Sequence, residues 1–412
     1  MLNRPTIILS DLHLGPTCPP NAALAVARVI ERHPEHELFL MGDTFDLSID
    51  PPSVDPAASV VRHLSNNPEL VAALRSKLER GVPVVFFAGN HDAQLARPHV
   101  RASMLQALGV SEGVPLTCGA WCVRRGDVHF EHGNIHDPDN APTHPLIPPS
   151  PDTEPLGVAL MRRVLAPARA LAFAHAHELT PLNGLGQAFV KLGPRALELI
   201  TRYYIEAMRI FASATPAAFA AELSRGHARV ADYAKSYGME LEQLQALLDS
   251  RVQPRHHGKR AVFGRLYLDR STATAVWLAT SVLGLTTLQP LYWLMTVGSL
   301  AYLGVSLSRG KNRYGGSLLR RMQDAARIVA TITHARVVVF GHTHVEEAHA
   351  GYVNTGSFTF GGSEGHSYLV LDESGVLFRA YADATKEDQV LDVFLPEVNA
   401  GKSQATMASM VA

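Results

Sequence analysis

ELFLMGDTFD, residues 37–46, holds a short apolar run that stops at a glycine and is followed at once by two carboxylates, Asp43 and Asp46. Glu37–Met41 is too short for a stable helix and has no polar face. It reads as a strand covered on both sides, with Gly42 turning the chain at its carboxyl end. The same grammar returns in TIILSDLH (6–13), PVVFFAGNHD (83–92) and RVVVFGHTH (336–344), and more weakly in VHFEHGN (128–134). Residues 21–33 and about 56–80 carry helical apolar spacing, so the chain opens βαβαβ. Further strand candidates are 120–132, 367–371 and 376–380. Alternation first and an antiparallel-looking run later point to an α/β fold, a mixed sheet layered with helices.

Five motifs carry the chemistry: Asp11-Leu12-His13, Gly42-Asp43-Thr44-Phe45-Asp46, Gly89-Asn90-His91-Asp92, His132-Gly133-Asn134 and Gly341-His342-Thr343-His344. Each follows a strand, and ligands at the carboxyl ends of neighbouring strands converge on one crevice. Singly they are weak, because a chain with 20 His contains an Asp-x-His by chance about once. Jointly, in order and each at a strand end, they define a site. Carboxylate, imidazole and amide oxygen suit Mn, Fe or Zn rather than an iron–sulfur cluster or a blue-copper site. A carboxylate such as Asp43 can bridge two cations held roughly 3.5–4 Å apart. A water between them becomes a bridging hydroxide that attacks phosphorus, while the cations offset charge on the phosphoryl and leaving oxygens. Histidines ligate only when neutral, so activity is expected to fall on acidification.

The combination DLH, GDTFD, GNHD, HG and GHTH resembles the calcineurin-like metallophosphoesterase superfamily over residues 1–145 and 317–385. The resemblance implies a four-layer α/β/β/α sandwich and two divalent metal ions, with manganese favoured over iron or zinc. It implies that Asp11, His13 and His344 hold the first metal, that Asn90, His132 and His342 hold the second, and that Asp43 bridges. It further implies that His91 protonates the leaving group and is oriented by Asp46. A carboxylate sets an imidazole's tautomer and raises its basicity, which keeps a general acid available near pH 7. Asn354-Thr355-Gly356-Ser357 is similar to the family's closing turn, and Asn134 departs from the Asp or His that many members carry there. The narrower group that cleaves UDP-2,3-diacylglucosamine usually has Arg in place of His91, so that reaction is not assigned.

The 412 residues hold 37 Lys+Arg against 38 Asp+Glu, with 47% hydrophobic and 18% charged residues and a mean hydropathy of +0.04. Near-zero net charge excludes a globally basic nucleic-acid binder. Three cysteines cannot build a disulfide framework, and MLNRPTIILS (1–10) has too short an apolar part for a signal peptide, so a reducing, cytoplasmic setting is expected. Cys118 and Cys122 are expected on one strand face as buried thiols, and His256-His257 as solvated within a basic run. Asp137 and Asp139 read equally well as organisers of a loop at the site edge and as ordinary acidic loop residues.

Low charge has an address. Residues 146–316 read as a helical insert, entered through the Pro-rich HPLIPPSPDTEP (144–155) and left through RGKNRYGG (309–316). Amphipathic helices are expected around 157–175, 188–212 and 238–250, either capping the site or lying on a membrane. The 35 residues 273–307 contain no charge, beyond the ~18 that mark a membrane candidate. Asp11 and His344 must share a compartment, so any crossing is even in number. Gln289-Pro290 breaks the run into a hairpin. Arg251, Arg255, Lys259, Arg260, Arg265 and Arg270 precede it and Arg309, Lys311, Arg313, Arg320 and Arg321 follow, which suits two cytoplasmic ends at the inner face of a membrane. A soluble apolar helix pair packed on the insert or a partner is the competing reading. Residues 386–412 read as a flexible tail.

The resulting expectation is a membrane-associated phosphoesterase acting on an amphiphilic or nucleotide-type phosphoester. The alternatives are a phosphatase or phosphodiesterase for soluble nucleotides or proteins that is merely anchored by the hairpin, and a non-catalytic scaffold, which a complete ligand set disfavours.

Overall fold

The computed structural model describes residues 4–171, 181–213, 216–309, 318–360, 366–382 and 389–391. The strands are β1 Thr6–Leu9, β2 Glu37–Leu40, β3 Val84–Phe87, β4 Leu116–Ala120, β5 Cys122–Arg125, β6 Val128–Glu131, β7 Val337–Phe340, β8 Glu346–His349, β9 Tyr352–Thr355, β10 Ser367–Leu371, β11 Leu377–Tyr381 and β12 Gln389–Val390. They form a seven-stranded sheet, β12-β11-β10-β1-β2-β3-β4, and a five-stranded sheet, β5-β6-β7-β9-β8. β1 to β4 are mutually parallel and β10 pairs antiparallel with β1, so the α/β reading with a mixed sheet holds.

Strand alternation sorts the core into layers. In β1 to β3, Ile7, Leu9, Leu38, Leu40, Val84 and Phe86 face one apolar cluster, shared with helices α1 Ala22–Arg32, α2 Pro56–Ser65, α3 Pro68–Glu79 and α4 Pro98–Leu108. The intervening Ile8, Phe39, Val85 and Phe87 face a second cluster together with Phe130, Val337 and Val339 of the other sheet. Val338 and Phe340 then face a third. Both faces of these strands are therefore covered, which explains why ELFL and VVFF are continuous apolar runs instead of alternating ones.

Among the described residues, 156–308 contribute helices and no strand. These are α5 Leu156–Leu160, continued as a π-helical turn Met161–Leu165, α6 Pro181–Leu192, α7 Arg195–Ser213, α8 Pro216–His227, α9 Val230–Tyr237, α10 Leu241–Ser250, α11 Lys259–Arg265, α12 Leu268–Thr287 and α13 Pro290–Ser308. The chain then enters α14 Leu318–Thr333, which packs with α9 and α10 on the third cluster. The expected helix 188–212 is two helices, because Gly193 (φ 56°) and Pro194 end α6. Residues 172–175 of the expected helix 157–175, and 310–316 of the insert's exit with Lys311 and Arg313, lie outside the described residues. Within the expected tail, Gln389–Val390 pair with β11 as an edge strand, and 392–412 lie outside the described residues.

Two sequence expectations are corrected here. Cys118 and Cys122 do not share a strand face: Cys118 lies on β4 of one sheet and Cys122 on β5 of the other, because the chain changes sheets at Trp121. Both remain buried-type thiols, each beside a methionine sulfur, Met104 and Met239 respectively at 3.8 Å. His256 is not solvated. It is buried with an edge on Phe219, and His257 stacks on the same ring, so this basic run is a packing joint between α8 and the site loop, where His257 reaches Thr143.

α12 and α13 form a helical hairpin, broken at Leu288 (φ 55°) and restarted with Pro290 in the first turn. Thr280 and Thr296 hydroxyls meet at 2.9 Å, and Gly284 lets the Trp293 ring lie against the backbone. Away from its foot the pair is largely exposed. Thr296 is the buried residue of α13, while Leu285, Leu294 and Val297 are each more than 60% exposed.

Candidate active site

β1 runs into Asp11 and His13, β2 into Asp43 and Asp46, β3 into Asn90 to Asp92, β6 into His132, and β7 into His342 and His344. Asp11 (φ 54°), His13 (φ 47°), Asp43 (φ 50°), His342 (φ 70°) and His344 (φ 60°) all take left-handed backbone. Each such residue costs on the order of 1 kcal/mol or more, and strain of this kind gathers at functional sites. Gly42 (φ 87°) is required twice over, since a Cβ there would run into the His132 imidazole.

Buried side chains lock these turns together. Asp92 accepts the backbone N–H groups of Gly89 (2.9 Å), Thr44 (2.7 Å), Asp43 (3.2 Å) and Phe45 (3.2 Å), tying the second motif to the third. Burial and the Asp43 charge push its carboxyl up to about 7 against those donors. Asn354 donates to the Gly341 carbonyl at 2.7 Å and Ser357 to the Asp11 carbonyl at 2.8 Å, so the NTGS turn fastens β7 to β1.

Eight of the nine residues named from the motifs fall into three close groups. Asp11, His13 and His344 offer ligand atoms within 4.8 Å of one another, and Asp43, His132 and His342 form a second such group. His344 Nε2 lies 3.1 Å from Asp11 Oδ1 and 3.0 Å from His13 Nε2, and His132 Nε2 lies 3.2 Å from Asp43 Oδ2. A third group, His13, Asp46 and His91, shares His13 with the first. Asn90 is buried, and its Oδ1 accepts no hydrogen bond.

This donor set fits divalent metal. The His132 Nδ1–H donates to the Met41 carbonyl at 2.9 Å, which places the lone pair on Nε2, and Nε2 makes no hydrogen bond. His342 is oriented alike: its Nε2–H donates to Asp137 Oδ2 at 3.1 Å, leaving Nδ1 for the second group. Charge agrees. Burial alone would lower His132, yet the Asp43 and Asp11 carboxylates raise it to about 10; the charges that favour a proton there also favour a cation. Burial opposes ionisation of Asp11 and Asp43 too, but the surrounding imidazoles hold both well below the usual carboxylate range. Burial, with His91 and His344 nearby, lowers His13 to about 4, so it is neutral and able to ligate at pH 7.

His91 meets the His13 ring edge-on at 4.8 Å and also faces Asp46. Its Nδ1 is 2.9 Å from Asp46 Oδ1, and the buried Ser48 hydroxyl lies 2.7 Å from both atoms. Burial would lower this imidazole, but Asp43 and then Asp46 raise it to about 9, while His91 helps bring Asp46 down to about 2 against its own burial. With Nδ1–H given to Asp46, Nε2 is the ring nitrogen that this contact leaves unengaged.

Residues 4–200 match the calcineurin-like phosphoesterase family. The chain carries a calcineurin-like phosphoesterase domain. It is similar to the UDP-2,3-diacylglucosamine hydrolase of Stenotrophomonas maltophilia (strain K279a), 28% identical over 192 residues, which are 46% of this chain and 69% of the relative. The protein is thus a metal-dependent phosphoesterase, and its substrate is a phosphoester. His342 and His344 lie beyond the matched segment, and it is the parallel pairing of β6 with β7 that returns them to the site.

The structure separates Asp137 from Asp139 and adds Ser48, which motif reading did not single out. Asp137 is the carboxylate behind His342; Asp139 faces away, pairing with Arg255 (2.7 Å) and Arg265. Ser48 has no motif of its own, and only the turn Leu47–Ile49 brings it to His91.

Proposed function

We propose that this phosphoesterase acts on an amphiphilic phosphoester at the inner face of a membrane. Asp11, His13 and His344 would hold one divalent cation, Asn90, His132 and His342 a second, and Asp43 would contribute to both, with manganese the first candidate. When bound, such ions supply Lewis-acid charge for the phosphoryl oxygens and acidify an attacking water. The chain's own residues do the rest. Asp137 and the Met41 carbonyl aim two imidazoles, Asp46 and Ser48 orient His91, and His91 gives the leaving oxygen its proton from Nε2.

The observation that carries the membrane part is the bare α12–α13 hairpin. Its helices, 20 and 19 residues, span about 30 Å at 1.5 Å per residue, close to the ~30 Å bilayer core. Among the described residues, Pro290–Ser308 is long and apolar enough to cross a membrane. Polar and aromatic groups close its foot, where Tyr302 bonds Asp269 at 2.7 Å and Arg270 bonds Ser306 at 2.7 and 3.0 Å. Thr286, Thr287 and Gln289 mark the tip. The foot is hooked to the site: Arg265, three residues before α12, pairs with Asp139, and Arg255 N–H donates to Pro138 O at 2.8 Å, beside Asp137. Arg255 and Arg265 are therefore engaged by protein and not by lipid. The relative's named substrate, a diacylated sugar nucleotide, is amphiphilic in the same sense.

The test compares the Mn-loaded full chain with one in which 268–308 is replaced by a short Gly-Ser linker. Turnover of lipid-linked phosphoesters in mixed micelles is expected to fall at least tenfold, while turnover of p-nitrophenyl phosphoesters persists. Equal turnover of the lipid substrate by both proteins would leave the hairpin as an anchor only. Release of the full chain from membranes by carbonate would count against insertion.

A further inference from the structure

A second apolar surface lies at the hairpin's foot. α7 has a stripe at helical spacing, Leu197, Tyr204, Ile205 and Met208, each more than 40% exposed, although the opposite face of the helix is packed through Ala207 and Ile210. The end of α6 adds Phe189 and Val190, the latter 87% exposed. α7 is fixed against the start of the hairpin, with Tyr204 Oη 2.9 Å from Ser271 Oγ and Tyr203 Oη donating to the Leu266 carbonyl at 2.8 Å. The stripe is thus continuous with the bare hairpin through Tyr204. Basic residues edge it: Lys191 and Arg195 are exposed, and Arg202 and Arg209, whose charges are shared with Glu198 and Glu206, recur at seven-residue spacing.

From this continuity we infer that α7, with the end of α6, lies in the headgroup region of an anionic bilayer beside the inserted hairpin. The inference rests on the membrane reading above. A helix with one packed face, one apolar exposed face and basic edges is the form that binds an interface in its plane. Tyrosine at the junction suits the water–lipid boundary, where its ring is buried and its hydroxyl stays wet. Lysine and arginine at the edge favour anionic over neutral lipid, each by an attraction that fades within a Debye length. With hairpin and α7 both engaged, the insert is held at two points and cannot swivel about the hairpin, which fixes the height of the catalytic crevice above the lipid.

The test places an environment-sensitive fluorophore at Ile205→Cys, or at Leu285→Cys in the hairpin, in the full chain carrying Cys18→Ser. Each is titrated with phosphatidylcholine vesicles with and without phosphatidylglycerol. The label at 205 is expected to shift to shorter wavelength with anionic vesicles and to be quenched by headgroup-level spin labels, whereas the label at 285 is quenched by labels at the bilayer centre. A shift at 285 with none at 205 overturns the α7 proposal and leaves the hairpin reading intact. No shift at either position sinks both. A shift at 205 produced by unlabelled protein without vesicles assigns the stripe to a second copy, and overturns the proposal as well. Met208→Glu, outside the catalytic crevice, is expected to keep p-nitrophenyl phosphoester turnover and lose most of the anionic-vesicle signal.

Discussion

Asp46→Asn separates two roles that the geometry allows, since Asp46 belongs to the His13–Asp46–His91 group and is also the hydrogen-bond partner of His91. The substitution preserves shape and removes charge. Carrying His91 from 6.5 to about 9 corresponds to about 3 kcal/mol, contributed first by Asp43 and then by Asp46 against the penalty of burial. Cations at Asp43 offset its charge, so Asp46 supplies most of what persists in the loaded enzyme, about 1–2 kcal/mol as a charge-assisted bond. A raised imidazole pKa keeps the acid form present below that pKa and loses it as pH rises through it. The variant should therefore lose kcat/KM at lower pH than the parent, with the basic limb moved down by about one pH unit. At pH 8 that shift lowers the protonated fraction about twofold, so the rate for an alkyl leaving group should fall about twofold there and about tenfold well above pH 9. A nitrophenolate leaving group needs little protonation and should be nearly spared. The assay is kcat/KM against pH for both ester types, with metal content measured on the same samples. An equal loss for both leaving groups accompanied by lost metal would make Asp46 a ligand and refute the orienting role.

Other outcomes follow from single contacts. Asp137→Asn removes the carboxylate behind His342, and affinity for the second metal, read by chelator competition, should drop about 10- to 100-fold while turnover at saturating metal recovers. Gly42→Ala drives a Cβ into the His132 ring at φ 87°, so the loaded protein should hold less metal at unchanged far-UV circular dichroism; full metal content would show that the turn can relax. Glu131, buried with His129 (3.3 Å) and His136 (2.5 Å), is brought down to about 2 by His136 and His129 despite its burial. A depressed carboxyl stabilises above its unfolded pKa near 4.5 and loses that contribution as pH falls toward 2. Glu131→Gln should therefore be less stable by about 1–3 kcal/mol near pH 6, with the gap closing on acidification; a pH-independent gap would exclude the ionic origin.

The sequence alone determined the parts whose signal is local. A buried strand must be apolar on both faces, so ELFLM, TIIL, VVFF and RVVVF could be read without knowing their neighbours. The residues that offer metal ligands sit where those runs stop, and a chargeless stretch broken by Gln289-Pro290 announces a hairpin by composition. What tertiary structure decided depends on which strand ends meet. Nothing within HGNIHDPDN distinguishes Asp137 from Asp139; only the pairing of β6 with β7 brings His342 to one, and the insert's return brings Arg255 and Arg265 to the other. Cys118 and Cys122 parted for a like reason, since a change of sheet leaves no mark on strand periodicity. Ser48 became a partner of His91 because a turn folds back from Asp46, and hydrogen bonds made across a turn carry no sequence period. Local periodicity records which face a residue shows to its own element, whereas the contacts of His91 with Asp46 and Ser48 and of His342 with Asp137 are set by segments far apart in the chain.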